Sequence, residues 1–231
     1  MSKTRLVALC LAVGLVSASC GRLPALVKPP VTSVATATPE PPPVWLSPQA
    51  YRIAMVPASA DDVDLVANPT IYHIRARLFL GASQPRIQVD QTTYYTNRSG
   101  DHLDRIYFRL FPNKPSFGSE LVLAQVQVEE RDATLDYQSE RTAVGVALPT
   151  SLAPGKTVEI QMKYNATVPV DNARGYGTYN YQDGILLLSN FFAGVAVYEA
   201  GGWNLALAPD YGDPVFAETS LFWVEVTAPQ D

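Results

Sequence analysis

Few residues of this chain have a type and spacing that could do chemistry. His73 and His102 are the only histidines, and Cys10 and Cys20 the only cysteines. That inventory nearly excludes a His/Cys zinc site and leaves no disulfide scaffold. His73 falls in an alternating run with Ile71, Arg75 and Arg77 on its face, the setting of a solvent-facing strand histidine. His102 follows Gly100-Asp101 in a turn. Asp101 or Asp104 could pair with it, and turn polarity accounts for it equally well. Asp61, Asp62 and Asp64 form a short acidic run. They lack the glycine and the later glutamate of a calcium loop, so a solvated loop is the expectation. There is no G-x-S-x-G elbow, H-E-x-x-H, P-loop or G-x-G-x-x-G. The sequons at Asn97 and Asn165 read as chance. No cofactor and no catalytic or metal-binding residue is expected.

Cys20 has the one specific chemical assignment. Lys3 and Arg5 precede an eleven-residue apolar run, Leu6 to Val16, and Ser17, Ala18 and Ser19 lead into the cysteine. A membrane-spanning helix needs about 20 apolar residues, so the run is a signal-peptide core. Small residues directly before a single cysteine have the pattern of a bacterial lipobox, where the thiol is acylated and the chain cut in front of it. Leucine is commoner at the position of Ser17, and an ordinary signal peptide cut near Ala18 is the alternative. The mature chain would hold no other cysteine, and one unpaired thiol is unusual in an exported protein. Lipidation at Cys20 is therefore the expectation, placing the chain on the extracytoplasmic face of a membrane. Each acyl chain contributes about 0.8 kcal/mol per buried CH₂.

The elements behind this anchor divide into three stretches: signal peptide 1–19, tether 20–48 and body 49–231. Eight prolines between Pro24 and Pro48 rule out a ladder or a helix interior, so the tether should be disordered and extended. The body should bury its own core: the 231-residue chain is 47% hydrophobic and 17% charged. Its net charge of −5 argues against nucleic acid as a partner. From about Trp45 the chain reads as β-structure. Val158, Ile160, Met162, Tyr164, Ala166 and Val168 alternate with polar residues, which is period 2 with one face buried and one wet. Further runs are Ile71 to Leu80, Arg86 to Thr96, Leu103 to Phe111, Gly184 to Ser189, Val195 to Glu199 and Ser220 to Thr227. Val122, Val126 and Val128 should share a face. Short strands with turn punctuation predict an all-β fold, an antiparallel β-sandwich with under a tenth helix after residue 48.

Four pieces, in order, resemble a known family. They are Tyr95-Thr96-Asn97 with Leu103 to Asn113; Val146 to Pro149 with Leu152 to Gly155 and the long strand to Pro169; Phe191-Phe192 through Tyr198 to Gly202-Trp203; and Gly212-Asp213-Pro214 leading into Phe222 to Val226 and Pro229. The series, over roughly Pro69 to Pro229, is similar to the saddle-like N-terminal β-domain of aminopeptidase N-like (gluzincin) zinc metallopeptidases. In that family the zinc ligands and the G-x-M-E-N loop lie in a following domain, and neither motif occurs here. The resemblance therefore implies a chain that does not itself hydrolyse peptides. The family's N-terminal domain lends a polar residue to the substrate amine, and the nearest position is Asn190. The usual Gln/Glu pattern is absent there, and the role is not carried over.

In the family the last third of this domain packs against the catalytic domain. Without that neighbour, Phe191, Phe192, Trp203 and Tyr211 would form a partly bare candidate docking surface for a protein domain. Three functions stay open. One is a lipoprotein whose stand-alone or truncated β-domain docks a partner. Another is a surface module binding glycan or peptide. The third is the non-catalytic part of a zinc aminopeptidase whose catalytic domain is a separate chain.

Overall fold

The computed structural model describes residues 41–81, 83–207, 209–212 and 216–230. Cys20, the signal peptide 1–19 and most of the expected tether lie outside the described residues. The strands are β1 (Thr70–Phe79), β2 (Arg86–Thr96), β3 (Leu103–Leu110), β4 (Leu121–Val128), β5 (Arg131–Asp132), β6 (Leu135–Gln138) and β7 (Ala143–Leu152). They continue as β8 (Thr157–Thr167), β9 (Tyr179–Gln182), β10 (Ile185–Leu188), β11 (Ala193–Val195), β12 (Tyr198–Glu199), β13 (Gly202–Trp203) and β14 (Ser220–Thr227). A six-stranded sheet, β14-β1-β2-β8-β4-β5, faces a four-stranded sheet, β11-β3-β7-β6. Two small hairpins, β9-β10 and β12-β13, complete the set. The core lies between the two sheets, as the sequence predicts for a β-sandwich.

Period 2 places each residue. On β8, Val158, Ile160, Met162, Tyr164 and Ala166 are buried, whereas Lys163 and Asn165 are exposed. This strand sits between β2 and β4, antiparallel to both. Facing it across the core are Ile106, Phe108 and Leu110 of β3 and Val144 and Val146 of β7. Gln91 locks the two sheets together: its Nε2 donates to the Ala193 carbonyl at 2.7 Å and to Thr93 Oγ1 at 3.0 Å. Its Oε1 accepts from the Tyr164 hydroxyl at 2.7 Å. Burying the amide is tolerable because it is hydrogen-bonded on both sides.

Four expectations are corrected. Residues 44–64 are not β-structure: they form 3₁₀ turns at Val44–Leu46, Pro48–Ala54 and Pro57–Asp64. Pro48 and Pro57 stand at first positions, where a fixed φ and a missing N–H suit a helical turn. Tyr51 and Val63 are buried against Ile71, with Trp45, Tyr94, Leu221 and Trp223 around them, on the outer face of the large sheet. Trp45 thus belongs to the body although it falls within the stretch expected as tether. Helical turns, all of them 3₁₀, reach 15% of the described structure, where under a tenth helix is expected after residue 48. The antiparallel sandwich itself stands, with one parallel pair: β14 runs parallel to β1, pairing Thr70 with Ser220 through Arg77 with Thr227. Finally, a register shift between Leu123 and Gln125 turns Val122 to solvent, so Leu121, Val126 and Val128 supply the buried side of β4.

Candidate functional site

The docking residues expected from sequence separate into distinct clusters. Phe191 and Phe192 touch each other, with ring centroids 6.1 Å apart, and both pack on the core. Phe192 also meets Tyr72 at 5.5 Å and Phe222 at 5.2 Å. Trp203 belongs to another group, tilted against Tyr95 and Tyr107 and edge-on to Tyr198, at 5.0–6.2 Å. Tyr211, 52% exposed, stands edge-on to Tyr176 at 5.2 Å. Of the four, Phe192 is the one beside an open apolar surface.

That surface is the core-facing side of β14. Registered residues of neighbouring strands point to the same side of a sheet. Val224 is opposite Ile74, and Val226 opposite Ala76, and both partners are buried in the core. Phe222 stacks on Tyr72 at 4.8 Å and 9°. Yet Phe222, Val224 and Val226 are 43%, 46% and 58% exposed. Among the described residues the large sheet outreaches its cover here: an apolar row continues the core past the small sheet, on an edge strand with no proline, lysine or bulge to blunt it.

A cavity of about 260 Å³ opens at the end of this row. Tyr72, Phe192, Val195, Leu207, Phe216 and Phe222 give it apolar walls, and Arg109 and Lys114 bring positive charge. Lys114 is buried but neutralised: its Nζ lies 3.0 Å from Asp210 Oδ1 and also donates to the Pro209 carbonyl. Asp210 is held below the usual carboxylate range by the Ser116 hydroxyl and by Lys114. Asn190, at the rim, has φ 53°, a left-handed conformation that asparagine tolerates.

The remaining candidates take structural roles. His73 is only 16% exposed in its side chain, not solvent-facing as expected. Its Nε2 lies 2.7 Å from Glu225 Oε1 and its ring 4.7 Å from Trp45. The hydrogen bond from His73 holds the Glu225 carboxyl below its ordinary range. Asp61 and Asp64 are both taken by Arg52, so the acidic run is an ion-paired turn. Asn97 is buried, its Nδ2 donating to the Asp101 and Leu152 carbonyls at 2.8 and 2.9 Å, which leaves no amide for a glycan. His102 is exposed, and Asp101 accepts from the Tyr198 hydroxyl instead. Among the described residues, no three His, Cys, Asp or Glu side chains are grouped to hold a metal. Among them, too, no helix is long and apolar enough to cross a membrane. Sequence reading missed Arg109, Lys114 and the β14 row. Arg109 looks like any polar position of an alternating strand, and nothing local marks where a facing sheet ends.

No family model and no curated protein matches the chain. Solved structures of an M1 zinc metallopeptidase from Deinococcus radiodurans do. A mutant form matches at 20% identity, covering 44% of this chain and 20% of that one, with a TM-score of 0.32. The mutant bound to a Tyr-Ser-Ala substrate matches at 22% identity, over 43% and 19%, with a TM-score of 0.31. A third structure of the enzyme matches at 20%, over 46% and 21%, with a TM-score of 0.30. The matched region thus spans about a fifth of those enzymes. A similarity of this size carries nothing about activity.

Proposed function

We propose that this chain is an exported lipoprotein, anchored through Cys20, whose metallopeptidase-related β-sandwich docks a protein partner and does not itself hydrolyse peptides. The observation that carries the docking role is the row Phe222, Val224 and Val226, left open on an edge strand beside Phe192. Covering such a row contributes about 25 cal/mol for each Å² of apolar surface removed from water. The order of sequence pieces from Tyr95 to Pro229 supports the metallopeptidase relation, and the small residues before Cys20 support the anchor.

Three measurements test the parts separately. Wild-type chain should stay with membranes through a carbonate wash, and Cys20→Ala should be released; a retained variant would overturn the anchor. The released chain should associate with itself as concentration rises, because the open row accepts a second apolar edge. Phe222→Ser with Val224→Thr should return it to a monomer in sedimentation velocity. A wild-type chain that is strictly monomeric and binds no apolar dye would remove the docking role. Chelator-sensitive aminopeptidase turnover by the purified chain would overturn the non-catalytic reading.

A further inference from the structure

Arg109 is the charged group of the cavity that has no carboxylate partner among the described residues. It lies on β3, whose backbone is paired on both sides, with Ala143 of β7 and Gly194 of β11. The strand is therefore fixed, and no side chain stands beside the guanidinium on β11. The one hydrogen bond it makes among the described residues is from Nη1 to the Asn204 carbonyl, at 3.2 Å. A guanidinium has five N–H donors. The other charges of the cavity are already matched: Lys114 by Asp210, and Glu218 by Arg98. No carboxylate of the described residues lies within ion-pair distance of Arg109. Burial accordingly pushes its pKa down, as desolvation does to a cation without a counter-charge.

Leaving a partly desolvated cation unpaired is costly unless something else supplies the charge. The surroundings narrow what that is. The fork of Arg109 fits a planar carboxylate through two parallel hydrogen bonds. The walls of Tyr72, Phe192, Val195 and Phe222 fit an apolar body. At about 260 Å³ the space is smaller than a drug-sized site and suits a single aromatic or branched side chain. We infer that this cavity binds a compact apolar carboxylate, such as the free end of a peptide finishing in a large apolar residue or a short hydrophobic acid, with Arg109 pairing the carboxylate. This does not depend on the docking role of the β14 row.

The test uses the full chain carrying Cys20→Ala, titrated calorimetrically with N-acetylphenylalanine, its amide, octanoate, and a tripeptide ending in phenylalanine. Carboxylate probes should bind at least about tenfold more tightly than the amide, the size expected when a charge-assisted hydrogen-bond pair is lost. The ranking of tripeptide, amino acid derivative and octanoate identifies the source of the carboxylate. Arg109→Gln should abolish the preference for acid over amide, and Arg109→Lys should retain part of it. Thermal unfolding keeps folding separate from binding. Without ligand, Arg109→Gln should melt at or above the wild-type temperature, because an uncompensated charge is removed. With ligand, the rise seen in wild type should be missing. Phe222→Ala should weaken acid and amide alike. Equal affinity for acid and amide, unchanged selectivity in Arg109→Gln, or no binding up to the millimolar range would overturn the inference.

Discussion

Gly145 shows what single positions contribute here. It lies on β7, opposite Tyr107 of β3 and Asp136 of β6. Arg105 crosses above it, its Nη1 reaching Asp136 Oδ2 at 3.0 Å while its buried Nε has no partner. A Cβ at Gly145 would collide with Arg105 Cδ and stand 2.8 Å from Tyr107 Cε1. Neither is the loose end of a side chain, so the strand or the Arg105–Asp136 bridge must give way. Gly145→Ala should therefore destabilise the fold by about 1–3 kcal/mol, the usual cost of overpacking. Gly202 has no atom within 4 Å of such a Cβ and no positive φ, so Gly202→Ala should be close to neutral. Urea unfolding of both variants checks the contrast. Equal midpoints would mean that β7 can shift freely against β3.

At the scale of elements, β8 was the most legible part of the chain, because its twelve-residue alternation states both its period and its buried face. Met162→Lys should cost several kcal/mol, since an unpaired ammonium would enter a fully buried position. Lys163→Met, one residue along on the exposed face, should cost little. Equal loss of denaturation midpoint would show that both faces of β8 are covered. Strands β2 and β14 were also legible to the residue, as Arg86–Thr96 and Ser220–Thr227. What stayed hidden is non-local. Nothing within Ser220–Thr227 says that it pairs in parallel with a strand 150 positions earlier, as Thr70 does with Ser220. A short run with Pro48 and Pro57 cannot declare that Tyr51 and Val63 will cover the outer side of β1. The Val122 error has the same origin: a bulge inserts one residue and exchanges the faces after it. The candidate site was less legible than the fold. Phe192 was found through its aromatic neighbours, whereas Arg109 gains meaning only from the cavity around it.

For the whole molecule, buried phenols set the response to pH. Burial raises the pKa of Tyr72, Tyr164 and Tyr179 far above the ordinary value of 10, and that of Tyr51 to about 12. The hydroxyls are engaged as well: Tyr72 accepts from the Val195 N–H at 2.9 Å, and Tyr179 donates to the Thr167 carbonyl at 2.9 Å. Tyr164 donates to Gln91 at 2.7 Å. A group whose folded pKa is raised contributes stability below its unfolded pKa and loses it as pH rises from there through the folded value. Stability should thus fall steadily above about pH 10, where the unfolded chain releases these protons and the native state cannot. At the acid end the sign reverses. Asp210 and Glu225 have depressed pKa values, so their contribution is present above the ordinary carboxylate range and is lost as pH falls through it. The alkaline limb gives the sharper test. Part of the phenolate absorbance should appear only together with loss of the β-sheet circular dichroism signal. Tyr164→Phe separates the two effects of that residue. It deprives Gln91 of a donor, so stability near neutral pH should drop by about 1 kcal/mol. It also removes one of the groups that must ionise, so its stability should decline less steeply than wild type above pH 10. Phenolate titration that finishes at the ordinary tyrosine pKa, with the circular dichroism unchanged, would show that these hydroxyls reach water and that the two sheets are not sealed against each other.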